Sequence, residues 1–318
     1  MFVYSAPLTT RFRGLTTRTG LLLHGPGGWG EFSPFWEYDD AEAASWYRAC
    51  YEAAYVGFPD AKRSHIPVNV TVPATDAERA HQIVVNSGGC TTAKVKVGEP
   101  GQDIGQEIAR LEAVRSALGP TGKIRIDVNG AWDVDTAVRS LAILDRAADG
   151  LEYVEQPCAS VAELAAVRRA QNVLVAADES IRRAQDPYEV KRLEAADIMV
   201  LKVQPLGGVA NCLRLANDIG LPVVVSSALE SSVGLAAGLA LAAALDELPY
   251  ACGLATAQLF ERDVVDRPFL PVDGKIAVTR PEPTPQTLAA IAANQEVTAQ
   301  WTTRFDRVAQ LAQGMPND

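Results

Sequence analysis

A chain of 318 residues, 48% hydrophobic and 21% charged, is large enough to bury a full core and too short for three ordinary domains. No stretch approaches the roughly 20 uninterrupted apolar residues of a membrane helix, and 29 Lys and Arg against 39 Asp and Glu give a formal charge of −10 that repels polyphosphate. A membrane-spanning protein is therefore excluded and nucleic acid is disfavoured as a partner.

Five scattered cysteines (Cys50, Cys90, Cys158, Cys212 and Cys252) form no CxxC pair and are expected as buried free thiols. No signal peptide is visible over residues 1–8, which makes the cytoplasm the expected compartment. In chain order, residues 1–88 read as a small α+β cap. Strands at 21–24 and 30–32 flank a Gly-Pro-Gly-Gly hairpin signal, and 39–56 is helix-like. Cap loops at 8–15 and 51–58 are expected to close over a substrate, with Arg11 and Arg13 as candidate carboxylate binders.

From residue 89 onward, short β-branched runs alternate with helix-patterned stretches. The runs fall at 92–97, 124–129, 153–156, 173–177, 197–203, 222–226 and 251–254. Equivalent positions recur in steps of about 23 to 31 residues, the length of one parallel strand, one helix and two short loops. That spacing predicts a closed (β/α) barrel over 89–266. An open doubly wound sheet is the competing topology, but no GxGxxG follows the first strand. Over 267–318, prolines at 268–271 and 281–285 break regular structure before a terminal helix or helix pair at 286–313. With no low-complexity linker between the parts, a site between cap and barrel is expected.

The polar residues that end these runs carry the chemistry. Lys94 and Lys96 lie two apart and share one strand face, opposite Val95 and Val97. Two ammonium groups facing a barrel interior need anions. Asp127, Glu155 and Asp178 end the next three runs, and Lys202 ends the fifth. Each falls where a barrel has its C-terminal mouth. The three histidines (His24, His65 and His81) are far apart, which weakens any His-based metal or triad chemistry. Three converging carboxylates without His or Cys select a hard cation, most simply Mg2+. Such an ion beside a lysine of lowered pKa suits proton abstraction next to a carboxylate, and Lys94 beside Lys96 is a route to that lowering. The Gly-Gly pairs at 88–89 and 207–208 read as loop turns rather than phosphate cradles.

The strings KVKVG at 94–98, DVNGAW at 127–132, EQP at 155–157, DES at 178–180 and KVQPLGG at 202–208 resemble the muconate lactonising subgroup of the enolase superfamily over nearly the whole chain. Further strings, GWGEFSPF at 28–35, SSALESSVG at 226–234 and CGLAT at 252–256, are similar to the subgroup's dehydrating members. The resemblance implies a (β/α)7β modified TIM barrel, with an α+β capping domain formed by the N-terminal region and the C-terminal segment. It implies Mg2+, with Mn2+ able to substitute, held by Asp127, Glu155 and Asp178. Lys96 would be the base and then the acid of a syn elimination, and Lys202 would stabilise the enediolate. Lys94, Asn129 and Glu179 would support them. Ser226, Ser227 and the backbone near Gly253 and Leu254 would hold a succinyl arm. The implied reaction turns 2-succinyl-6-hydroxy-2,4-cyclohexadiene-1-carboxylate into its aromatic product, in menaquinone biosynthesis. An N-acylamino acid racemase or dipeptide epimerase is the second reading, and a non-catalytic barrel that binds a small acid is the third. Ala255 stands where some relatives carry Asp. Only seven strand runs are found, so the eighth strand is expected to be absent or replaced by an irregular segment between Phe260 and Phe269.

Overall fold

A computed structural model describes residues 1–12, 14–184 and 186–314, so Arg13 lies outside the described residues. Strands β1 (Phe2–Phe12), β2 (Leu15–Gly25) and β3 (Gly28–Phe32) form an antiparallel meander, with the predicted hairpin closing where Gly25 pairs with Gly28. Helix α1 (Asp40–Tyr51) starts at Asp39, whose carboxylate accepts the Glu42 N–H, and widens into a π-helical turn over Glu52–Val56. These elements share one core with the other end of the chain. Leu21, Leu22, Phe32 and Trp46 pack with Trp301 and Phe305 of the C-terminal helix over Gln295–Gly314, and Phe32 meets both of the latter rings edge-on. The cap is thus built from both ends, as expected.

The barrel follows β4 (His65–Pro67), which pairs antiparallel with the late strand Lys275–Ala277. In order come β5 (Val70–Val72), α2 (Ala77–Val85), β6 (Thr92–Lys96), α3 (Ile104–Leu118), β7 (Lys123–Asp127), α4 (Val134–Ala147), β8 (Val154–Glu155), α5 (Val161–Ala170), β9 (Val175–Ala177), α6 (Glu179–Arg182), α7 (Glu189–Arg192), β10 (Ile198–Lys202), α8 (Val209–Ile219), β11 (Val223–Ser226) and α9 (Ser232–Ala244). Strands β5 to β11 form one parallel sheet in sequence order.

The ring closes through residues 251–254. Cys252 bridges to Val68 and Gly253 to Ser226, so this stretch acts as a stave made of single bridges rather than a regular strand. Eight staves result. The one absent from the sequence reading is β5, at the start; the segment between Phe260 and Phe269 contributes none. Three residues, Val-Thr-Val, are too short to carry a period-2 signal, and they lie ahead of the 88/89 boundary drawn from sequence.

Alternation around the ring sorts the side chains. Val95, Ile126, Val154, Ala177, Leu201 and Val225 point outward into the helix layer, while Tyr153, Ala176, Ile198, Val200 and Val224 fill the barrel interior. Arg125, fully buried, sits in that interior. It donates to the Tyr153 hydroxyl (2.9 Å) and the Ala251 carbonyl (2.8 Å), pairs with Glu152, and stacks 4.5 Å from the Tyr153 ring. It ties the closing stretch to the sheet.

Candidate active site

The same alternation brings Lys94, Lys96, Asp127, Glu155, Asp178 and Lys202 to the inner face at the C-terminal mouth, all less than a sixth exposed. Lys94 Nζ lies 2.9 and 3.1 Å from the two Glu155 oxygens and 3.1 Å from Asp127 Oδ2. Lys96 Nζ donates to Asp127 Oδ2 and to Asn129 Oδ1, each at 2.6 Å. Across the mouth, Lys202 Nζ donates to Asp178 Oδ2 at 2.6 Å.

Burial opposes the Lys94 charge, but Glu155 and Asp127 outweigh it and hold the Lys94 pKa well above the ordinary lysine value. Lys94 is therefore a fixed cation beside Lys96. Burial likewise opposes the charges of Asp127 and Asp178. Lys96 and Lys94 hold Asp127, and Lys202 and Arg182 hold Asp178, well below the usual carboxylate range.

Two residues in the supporting structure escaped the sequence reading. Arg182 donates Nε to Asp178 Oδ1 (2.9 Å), Nη2 to Glu179 Oε1 (2.6 Å) and Nη1 to the hydroxyl of Tyr38 in the cap (3.4 Å). Asn129 Nδ2 reaches the same Glu179 oxygen at 3.2 Å. Gln156, fully buried at φ +41°, accepts the Asp178 and Ser180 N–H groups (3.0 and 3.1 Å) and donates to Ser180 Oγ (2.7 Å), fixing the turn that carries Asp178. The EQP string was its only signal, and Arg182 had none beyond following DES by one helical turn.

Of the expected arm-binding residues, Ser226 ends β11 beside Gly253, where a Cβ would come 2.6 Å from Ser226 Oγ. Ser227 shares a 2.8 Å hydrogen bond with Thr256. The Leu254 side chain turns outward to Gly238 of α9, leaving only its backbone toward the mouth. Arg11 is exposed and donates to the Gly14 carbonyl. It lines a cavity of about 1160 Å3 between the β1–β2 tip, the turn after β5, α2 and residues 255–268, to one side of the lysines and carboxylates.

Among the described residues, no three His, Cys, Asp or Glu side chains stand close enough to form a ready-made metal cluster, because the lysines lie between the carboxylates. The donor set is nevertheless all oxygen. Glu179 Oε2 is buried beside Asp178 with no hydrogen-bond partner among the described residues. These residues fit a hard divalent cation.

The enolase C-terminal domain-like family matches residues 75–283, and the enolase N-terminal domain-like family matches 3–54. The chain is 61% identical to the o-succinylbenzoate synthase of Thermobifida fusca over 95% of its length and 93% of that protein's. It is 52% identical to the o-succinylbenzoate synthase of Mycolicibacterium smegmatis over 96% and 93%. The chain belongs to the o-succinylbenzoate synthase family of the enolase superfamily. Solved structures share the fold at low identity. Muconate lactonizing enzyme from Pseudomonas putida superposes with a TM-score of 0.76 at 18% identity over 92% of this chain and 98% of its own. The L-Ala-D/L-Glu epimerase from Bacillus subtilis gives 0.75 at 22% over 88% and 95%. Membership of the enolase superfamily carries with it a divalent metal. No helix among the described residues is long and apolar enough to cross a membrane.

Proposed function

We propose that the protein is an o-succinylbenzoate synthase, a carbon–oxygen lyase. It would dehydrate 2-succinyl-6-hydroxy-2,4-cyclohexadiene-1-carboxylate to o-succinylbenzoate in the cytoplasm, as a step of menaquinone biosynthesis. The observation that carries the reading is the identity of 61% over nearly the full length to a protein of that name, in a chain whose mouth places Lys96 and Lys202 on opposite sides. Five buried free thiols suit a reducing compartment.

Asp127, Glu155 and Asp178 would hold the metal, Mg2+ by their oxygen chemistry, with Mn2+ a tolerated substitute. Bound there, the ion supplies positive charge that stabilises the charge developing on the substrate carboxylate. Lys96 Nζ takes the proton from the carbon next to that carboxylate. The same ammonium returns the proton to the departing hydroxyl on the same face, so that water leaves as the ring double bond forms. Lys202, kept charged-side inward by Asp178, faces the opposite side and opposes the negative charge. Ser226, Ser227 and the backbone at Gly253 and Leu254 hold the succinyl arm. Lys94, Asn129 and Glu179 orient the groups that react.

Purified protein supplied with Mg2+ and the cyclohexadiene substrate should yield the aromatic product, lose that activity in chelator, and lose it in Lys96→Ala. Lysines on both sides also suit two-base racemisation, so N-succinyl amino acids belong in the same assay. A kcat/KM for racemisation above that for dehydration would replace the proposed reading.

A further inference from the structure

Helices α3, α4 and α5 cap their own N-termini with Asp103, Asp133 and Ser160. Helix α8 does not, because its N-cap is Gly208, which has no side chain to offer. A carboxylate from the cap takes that place. Glu52 accepts the Val209 N–H at 2.5 Å and the Ala210 N–H at 3.0 Å. Glycine is what admits it: Gly208 has φ +126°, and a Cβ there would stand 2.4 Å from Glu52 Oε2. Glu52 is the first residue of the π-helical turn that ends α1.

Glu31, on β3 and 2% exposed, adds a cap carboxylate at α9, whose own N-cap Ser231 accepts the Val233 N–H at 3.3 Å. Glu31 accepts the N–H groups of Ser231 (3.1 Å) and Gly234 (3.0 Å) as well as the Ser231 hydroxyl. Arg18 on β2 adds a bond of 2.9 Å to the Leu229 carbonyl, where the chain is left-handed at φ +63°. The α8 loop follows Lys202, and the α9 loop follows Ser226. A carboxylate at a helix N-terminus gains from both hydrogen bonds and the helix dipole, so these are strong attachments for short loops.

We propose that Glu31 and Glu52 are positioning residues that set two mouth loops from the cap. Glu52 places the loop after Lys202 and thereby the charge that faces the substrate. Glu31 places the loop after Ser226 and thereby the groups that hold the arm. The two carboxylates therefore act on different kinetic parameters. The kinetic half of this inference rests on the proposed dehydration.

The test uses the full chain and the variants Glu52→Gln, Gly208→Ala, their double, Glu31→Gln and the milder Glu31→Asp. Hydrogen exchange read by mass spectrometry should speed up about tenfold over residues 203–210 in Glu52→Gln and in Gly208→Ala, with no further gain in the double, because both remove one attachment. The Glu31 variants should speed exchange over 227–234 only. In turnover, Glu52→Gln should lower kcat about tenfold with KM nearly constant, and the Glu31 variants should raise KM about threefold to tenfold with kcat nearly constant. Wild-type exchange in those segments, or equal losses in both parameters from all variants, overturns the proposal. If the wild-type protein does not dehydrate the substrate, the functional reading falls, and the exchange data alone decide this one.

Discussion

Lys96 and Lys202 face each other across the mouth, and one unbroken run of polar contacts joins them. It passes from Lys96 to Asn129, from Asn129 to Glu179, from Glu179 to Arg182, from Arg182 to Asp178, and from Asp178 to Lys202. Arg182 is its central link and also its tie to the cap, through Tyr38. Removing that guanidinium leaves Asp178 held from one side only. Arg182→Ala should raise the Mg2+ concentration needed for half-maximal activity by about 10-fold to 100-fold. Arg182→Lys should recover little, because one ammonium lacks the planar fork by which Arg182 reaches Asp178, Glu179 and the Tyr38 hydroxyl at once. Metal titration by calorimetry checks the effect without turnover, and a wild-type affinity in Arg182→Ala would refute it.

Lys96→Ala should lower kcat by about 10²-fold to 10⁴-fold, the range for a general base. Solvent-deuterium exchange of the substrate α-hydrogen should disappear with it. Retained exchange would move the base elsewhere, and Lys202→Ala run alongside would show where.

Lys94→Met should act on stability before it acts on rate. It leaves two buried carboxylates, Asp127 and Glu155, without the ammonium between them, a loss of about 3–5 kcal/mol in comparable buried pairs. Urea unfolding in chelator measures this, and adding Mg2+ should restore more stability to the variant than to the wild type. Equal midpoints in chelator would show that Lys94 is not the counter-ion.

Glu230 gives a pH signature away from the lysines. Burial, then the Glu31 charge, push it up to about 7. An unfolded carboxyl releases its proton near pH 4.3, so the folded form holds one that the unfolded chain has lost. The resulting contribution is full below about pH 4.3 and fades as pH rises through about 7, with a size on the order of 3 kcal/mol. Glu230→Gln should therefore gain stability relative to the wild type between pH 5 and pH 8. Parallel pH curves for the two proteins would contradict the assignment.

At the floor of the barrel, Arg125→Met should cost about 3–5 kcal/mol, because Glu152 loses its buried partner and the Ala251 carbonyl its donor. KM should not move, since Arg125 sits a layer below the reacting groups. Denaturant midpoints and steady-state kinetics together test the separation.

The strand-end residues were legible because a strand repeats every two residues. A charged group at the end of an apolar run, on the same parity as its inward neighbours, has nowhere to go but the interior. Asp127, Glu155, Asp178 and Lys202 all follow that rule. Strand β5 is hidden by its length, and the stretch at 251–254 reads as a regular strand because its apolar residues do line the ring, though by single bridges. Arg182, Glu31 and Glu52 could not be read locally. Glu31 and Glu52 act on N–H groups that only the folded chain brings near, Glu31 on one 200 positions away, and Arg182, though one turn from Asp178 and Glu179, is tied to the cap only through the distant Tyr38.

The aromatic pairing of Phe32 with Trp301 and Phe305 sets an order of events during synthesis. The first three strands emerge from the ribosome with Leu21, Leu22 and Phe32 uncovered, and the rings that seal them arrive only after every stave of the barrel has been made. The cap therefore becomes whole only after the barrel's residues have been made, and strands β1 to β3 wait, exposed to chaperones and to one another, for the helix at Gln295–Gly314.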